Sequence, residues 1–250
     1  MTTERPLLPA EVVRWLRKAQ HVAVLTGAGI SAESGIPTFR DAQTGLWARY
    51  DPRALASPEA LANNPGLVWA WYAWRRQKVA QARPNPGHIA LAKMERLVPR
   101  FTLITQNVDG LHQQAGSQHV LELHGNIMRT VCVAHRHPVS HWEPVAEGEA
   151  PKCPICGSVL RPDVVLFGEN LPHDVFQQAL EASQTCDAML VIGTSGVVYP
   201  AAALPDIARE QGALVIEINP QATPLSDVAD LTLRGPAGEI LPALVRQVWP

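Results

Sequence analysis

Net charge is nearly absent from this chain. Its 250 residues carry 21 Lys and Arg against 23 Asp and Glu, a formal charge of −2. That balance supplies no field to gather nucleic acid or an anionic membrane surface, so neither is expected as a partner. Also missing is any run near the roughly 20 apolar residues that a membrane span needs. The opening MTTERPLLPAEVVRWLRKAQ holds acidic groups early and no long apolar stretch. It reads as a tail and a first helix rather than a secretion signal, so a cytoplasmic protein is the expectation. No internal repeat or low-complexity tract occurs. Cysteine is scarce, with Cys132, Cys153, Cys156 and Cys186 only. In a reducing compartment, a close pair with a third thiol upstream points to a metal rather than to disulfides.

What is present is globular. The hydrophobic fraction is 46% and the charged fraction 18%, and the length suits one large domain, or a large and a small one. Pro9-Ala10-Glu11 opens an amphipathic helix to about Ala19. HVAVLT (His21 to Thr26) is a short, β-branched buried strand. Ser57 to Arg83 carries two helical stretches, with Ser57 as N-cap and Pro58 at the first helical position. Further along come a helix from Gly87 to Val98 and strands at Phe101–Asn107 and His119–Asn126. Between Cys132 and Leu160 the apolar rhythm stops, as in an insertion held by a metal. The rhythm then resumes: a helix at about Asp174–Thr185, strands at Ala188–Gly196, Ala213–Pro220 and Leu231–Gly235, and a closing helix to Val248. Strands alternating with helices imply an α/β fold with a parallel sheet covered on both faces.

After the first strand stands Gly27-Ala28-Gly29-Ile30-Ser31-Ala32, a G-x-G-x-x-G/A turn. Such a turn brings backbone N–H groups close to a pyrophosphate at a helix start, although a tight turn without a ligand gives the same pattern. No second strand ending in an acid follows about 20 residues on. A long polar loop, Glu33 to Asp51, takes its place and could fold over a ligand. In a parallel sheet, ligands sit beyond the C-terminal strand ends, where Gln106-Asn107-Val108-Asp109, Gly193-Thr194-Ser195 and Asn219 fall. Each could be a helix cap alone; together at one edge they favour a site. His124 falls at the same edge, and an imidazole suits general-base work near neutral pH.

Cys153-Pro-Ile-Cys156-Gly is half of a structural zinc site. Upstream stands Cys132-Val-Ala-His135, with His137 and His141 near. Cys3His is an accepted zinc set, so Cys132, His135, Cys153 and Cys156 are the expected ligands, with His137 the alternative fourth. Four protein ligands leave no open position, which argues against a catalytic metal. Tyr72 and Arg75 are three apart on a helix and share a face. They pack as ordinary amphipathic residues, or together receive a carboxylate.

GAGISAESGIPTFRD, TQNVDGLHQQAG, LHGN, the Cys knuckle, GTSGVVYPAA and INP occur in the order found in sirtuins. The resemblance runs from about Val12 to Val245. Within that family the chain is similar to the class with FGENL and a Y-x-x-R helix, which removes succinyl, malonyl and glutaryl groups from lysine. The resemblance implies an NAD-dependent protein deacylase acting on acylated-lysine proteins or peptides, as a monomer. It implies a large Rossmann-like part (about 10–45, 87–128 and 162–248) and a small part (helical insertion about 46–86, zinc module about 129–161). NAD and peptide would enter the cleft from opposite sides. Gly27, Ala28, Gly29 and Ser31 would meet the phosphates and nearby ribose, and Phe39 and Arg40 would belong to the cofactor loop. Ile36 would lie beside the nicotinamide; Gln106, Asn107 and Asp109 would line its pocket. Gly193, Thr194, Ser195, Asn219 and Ala237 would hold the adenosine side. His124 would be the base, with Asn107 and Asp109 its catalytic partners. Val165, Phe167, Gly168 and Glu169 would flank the peptide, paired as an added strand. Ala56, Tyr72 and Arg75 would shape the acyl pocket. The implied chemistry consumes NAD: the acyl oxygen attacks C1′ of the ribose as nicotinamide leaves. His124 then takes a proton from a ribose hydroxyl, and water releases lysine and O-acyl-ADP-ribose.

Other readings compete. A deacetylase with little acidic-acyl preference, or an ADP-ribosyl transferase, would share the site. A Rossmann dehydrogenase would need the missing acid on a second strand. A zinc-ribbon nucleic-acid module would need a basic face, whereas His135 to Lys152 is dominated by His, Glu and Pro.

Overall fold

A computed structural model describes residues 8–37 and 50–250. In chain order the helices are α1 (Ala10–Lys18), α2 (Gly29–Ala32), α3 (Pro52–Leu55), α4 (Pro58–Asn63), α5 (Pro65–Gln81), α6 (Pro86–Glu95), α7 (Leu111–Gln114), α8 (His173–Thr185), α9 (Leu204–Glu210) and α10 (Ala237–Val248). The strands are β1 (His21–Thr26), β2 (Arg100–Thr105), β3 (Val120–Glu122), β4 (Gly125–Cys132), β5 (Leu160–Val164), β6 (Ala188–Ile192), β7 (Leu214–Ile218) and β8 (Leu231–Leu233). Six strands form one sheet in the order β3-β2-β1-β6-β7-β8, and every pairing in it is parallel. Strands β4 and β5 pair antiparallel in a second, two-stranded sheet.

The sheet lies between two apolar layers because its strands alternate. Val22 and Val24 of β1 join Leu16 of α1, Leu91 and Met94 of α6, and Leu241 and Leu244 of α10. Ala23 and Leu25, one position out of phase, join Ala179 and Ala182 of α8 and Leu204 and Ala208 of α9. A strand buried on both faces needs the continuous apolar run that HVAVLT provides. Each large side chain sequestered this way contributes roughly 1.5–3 kcal/mol.

A third apolar cluster joins α3–α5 to the second sheet: Leu55, Val68, Trp71 and Tyr72 meet Ile127, Val164 and Leu166. The starts of α4 and α5 are chemically marked. Ser57 and Asn64 accept from the amides of Ala60 and Leu67, and Pro58 and Pro65 occupy first-turn positions that need no donor.

One expected strand is split. His119–Asn126 reads as continuous, yet β3 ends at Glu122 and β4 begins at Gly125 in the other sheet. Gly125 holds φ +79°, and a Cβ there would sit 2.1 Å from the carbonyl oxygen of Asp163. Only glycine turns the chain out of the main sheet at this point. Among the described residues, no helix is long and apolar enough to cross a membrane.

Candidate active site and metal centre

Because all six strands run the same way, their C-terminal ends form one edge. β2 and β3 lie to one side of β1, and β6 to β8 to the other, so the chain reverses its winding between β1 and β6. At that switch point Gly27 and Gly29 follow β1 and Gly193 follows β6. The amide of Gly29 donates to the carbonyl of Gly193 at 2.8 Å. A Cβ on Gly27 or Gly29 would stand 2.8 Å from Gly193 atoms, and one on Gly193 would stand 2.5 Å from the amide nitrogen of Ile30. The glycines therefore let two loops touch, a close approach within the protein beside the approach to a phosphate that the sequence suggested.

Polar side chains are woven across this edge. Gln106 Nε2 donates to Thr194 Oγ1 at 3.0 Å, bridging the ends of β2 and β6, and Asn219 Nδ2 donates to the carbonyl of Thr194 at 2.8 Å. Ser31 Oγ donates to Asp109 Oδ2 at 2.7 Å and accepts from Asn107 Nδ2 at 3.1 Å. The amide of Leu111 donates to Asp109 Oδ1 at 2.9 Å. Burial raises the Asp109 pKa, and these two donors oppose the rise.

His124 lies between β3 and β4, with Nδ1 2.8 Å from the carbonyl oxygen of Gln106. That oxygen can only accept, so Nδ1 carries the proton and Nε2 the lone pair. Burial lowers the His124 pKa below its usual 6.5, partly offset by that bond. The imidazole is therefore neutral at physiological pH and can take a proton.

The other expected residues fall as follows. Ala56 and Tyr72 are buried, and Ile36 packs partly buried against their cluster. Burial pushes the Tyr72 hydroxyl up to about 12, with Arg75 pulling the other way. The Arg75 guanidinium lies 5.0 Å from the Trp71 ring centroid and 5.7 Å from that of Tyr72. Its pKa is lowered by burial against the opposing pull of Tyr72 and Asp109. Ser195 is partly buried beside Thr194, and Ala237 opens α10 against Gly87. Val165 donates its amide to the carbonyl of His124, and Phe167 and Gly168 are exposed at the rim. Glu169 turns inward, its carboxylate on Arg161. Phe39 and Arg40 lie outside the described residues.

Sequence reasoning missed several members of the site. His88 on α6 accepts at Nδ1 from the amide of Asn85, so its Nε2–H faces Ser31 Oγ at 3.4 Å. His112 Nε2 is 3.0 Å from Thr26 Oγ1, which donates to Thr105 Oγ1 at 2.8 Å; that oxygen also receives the Asn107 amide at 3.0 Å. The Pro84-Asn85-Pro86 cap was the available signal for the first. Nothing local marks the second. A separate cavity bounded by Trp15, Asp206, Arg209, Glu210 and Asp230 lies at the opposite strand edge, among residues that precede β7 and β8.

The thiols converge with one imidazole. Ligand atoms of Cys132, His137, Cys153 and Cys156 lie within 4.8 Å of one another. His137, not His135, completes the set. The Arg136 amide bonds the Cys132 carbonyl at 3.1 Å, and the Cys132 amide bonds the His137 carbonyl at 3.1 Å. With Arg136 at φ +53°, this turn folds position 137 back onto the thiols and leaves His135 exposed. Cys132 Sγ and Cys156 Sγ are 3.8 Å apart. A tetrahedron with Zn–S bonds of about 2.3 Å has edges of about 3.8 Å, so the residues fit one structural zinc ion.

A parallel sheet with a glycine turn and polar clusters at its switch point defines a Rossmann-like α/β protein, here with a Cys3His module inserted. The Sir2 family profile matches residues 27–200. "NAD-dependent protein deacylase 2" of Pyrobaculum aerophilum is 52% identical over 233 residues, covering 93% of each chain. A solved Sir2 homologue–NAD complex superposes with a TM-score of 0.90 at 48% identity, covering 96% of this chain and 94% of that one. A mutant Sir2 homologue with 2′-O-acetyl ADP ribose gives 0.89 at 48% identity, covering 96% of each. This chain belongs to the Sir2 family.

Proposed function

We propose that the protein uses NAD to remove acyl groups from lysine side chains of proteins, yielding nicotinamide, free lysine and O-acyl-ADP-ribose. The observation that carries this reading is one arrangement. His124, with its lone pair on Nε2, stands at the same strand edge as the Ser31–Asn107–Asp109 cluster, beside a glycine turn at the switch point. A relative named as an NAD-dependent protein deacylase and neighbours holding NAD and 2′-O-acetyl ADP ribose support it.

NAD supplies an electrophilic ribose carbon once its nicotinamide is released. The residues of this chain do the rest. Gly27, Ala28, Gly29 and Ser31 hold the phosphates and nearby ribose, and Ala237 belongs to the adenosine side. Gly193, Thr194, Ser195 and Asn219 hold the adenosine. Asn107 and Asp109, set by Ser31, bind the nicotinamide amide, with Gln106 and Ile36 beside it. His124 accepts a ribose proton at Nε2. Holding both reactants in register converts a bimolecular step into an effectively unimolecular one. The zinc module, with Cys132, His137, Cys153 and Cys156, keeps its metal closed to substrate and serves structure only.

The acyl preference is for succinyl, malonyl or glutaryl groups over acetyl. Support comes from Tyr72 and Arg75, one helical turn apart beside the small, buried Ala56. A carboxylate bound by a guanidinium gains a charge-assisted contact worth about 1.5–3 kcal/mol, one to two decades in selectivity. Offering acetyl-, succinyl-, malonyl- and glutaryl-lysine peptides with NAD, and following nicotinamide and O-acyl-ADP-ribose, tests both levels. Intact NAD with every peptide overturns the deacylase. Arg75→Met is expected to weaken desuccinylation by about tenfold or more and to change deacetylation little; equal losses overturn the carboxylate role.

A further inference from the structure

Glu169 sits in the segment assigned to the substrate peptide, yet its partly buried side chain turns back onto Arg161. Arg161 of β5 is buried at 5% exposure. Its Nη1 and Nη2 donate to Glu169 Oε1 and Oε2 at 2.5 and 2.8 Å, a two-pronged pair. The same Nη2 donates to the carbonyl of Val164 at 2.6 Å, and Glu169 Oε2 accepts from the amide of Leu166 at 2.8 Å. The Glu169 amide closes the turn on the carbonyl of Leu166 at 3.0 Å. Residues 164–169 are thus gripped from inside by one ion pair. Burial would raise the Glu169 pKa, but the Arg161 and Leu166 donors outweigh it and lower it.

This gripped segment joins two parts of the site. The Val165 amide donates to the carbonyl of His124 at 2.9 Å, and the Phe167 amide donates to the carbonyl of Ala56 at 2.8 Å. Phe167 and Gly168 protrude at the rim, and the guanidinium carbon of Arg53 lies 5.7 Å from the Phe167 ring centroid. We propose that Arg161 and Glu169 act together as positioning residues: their ion pair sets the backbone of residues 164–168 as a strand edge for the acyl-lysine peptide, in register with His124 and Ala56. This rests on the deacylase reading. Neither side chain touches substrate; both act through the amides and carbonyls they hold. A bidentate guanidinium–carboxylate pair suits this task because it fixes orientation as well as distance.

The test is steady-state kinetics on the full-length enzyme with an acyl-lysine peptide and NAD varied separately. Glu169→Gln keeps an acceptor for the Leu166 amide but leaves the Arg161 charge without its counterion. The expected result is a peptide KM raised about tenfold, with kcat and the KM for NAD within about twofold. Arg161→Met is expected to match it, and Arg161→Lys to fall between wild type and Arg161→Met. A purely structural role would lower melting temperature and active fraction without this split. Unchanged peptide KM in Glu169→Gln, or equal rises in both KM values, overturns the proposal. If Arg161→Met does not fold, Glu169→Gln decides alone. Amide hydrogen exchange at Leu166 and Phe167 reads the grip without turnover and is expected to quicken in Glu169→Ala, which removes the Leu166 acceptor as well as the ion pair; unchanged exchange overturns it. Failure of the deacylase reading shows separately, as wild-type enzyme that leaves NAD intact.

Discussion

His124 illustrates how a backbone acceptor assigns a proton. The main-chain carbonyl of Gln106 can only accept, so Nδ1 of the imidazole holds the proton and Nε2 the lone pair. Removing the ring in His124→Ala is expected to slow deacylation by about 10²–10⁴-fold, read in kcat/KM for the peptide. Burial also holds its pKa below 6.5. The pH profile of kcat/KM should therefore be flat through neutrality, its acid limb centred below 6.5; a limb centred above that value would contradict the burial argument. At the metal centre a two-residue difference decides the ligand. His137→Ala should lose most bound zinc and His135→Ala should retain about one equivalent, measured as metal per chain after gel filtration. The spacing Cys132-x-x-His135 suggested the opposite, because position 136 adopts a backbone conformation that side-chain type does not announce.

Among the elements, the best legible was β1. After His21, HVAVLT has five apolar or β-branched residues, and all six positions are buried. The N-cap at Ser57 carries a signature in residue type, whereas α8 and α10, which begin after Pro172 and Pro236 without a side-chain cap, were legible from their apolar rhythm. The β3–β4 break was not legible, since VLELHGN alternates like one strand and only the tertiary approach of Asp163 reveals why Gly125 turns. His88 and His112 were hidden for a similar reason: one sits in an apolar helix, the other follows a turn, and their partners lie 57 and 86 positions away. The loop contact at the switch point gives an element-scale test. Gly193→Ala combines φ +59° with a 2.5 Å approach to the Ile30 amide. It should cost about 1–3 kcal/mol and weaken NAD binding with it, read by urea unfolding and calorimetry.

For the whole molecule, buried imidazoles set the acid limit. His88 and His112, rings 4.9 Å apart, are driven by burial down to about 4 and about 3. Unfolded, each takes up a proton near 6.5, so between 6.5 and the folded values the unfolded chain binds more protons. Their contribution is fully present above about pH 6.5 and is lost as pH falls toward 4. By pH 5 the loss is on the order of 2 kcal/mol for each ring. Urea midpoints at pH 7.5 and 5 should show this drop, and His88→Gln or His112→Gln should flatten it.

Trp69 of α5 packs against Cys132, Cys153 and Leu160, stands edge-on to Trp142 at 5.3 Å, and carries Arg76 over its ring. An indole so close to thiolates is a built-in optical probe: its emission should shift in intensity as a chelator empties the tetrahedron. Because the same helix carries Tyr72 and Arg75, one cuvette could follow metal loss by fluorescence while turnover reports what that loss does to the acyl pocket.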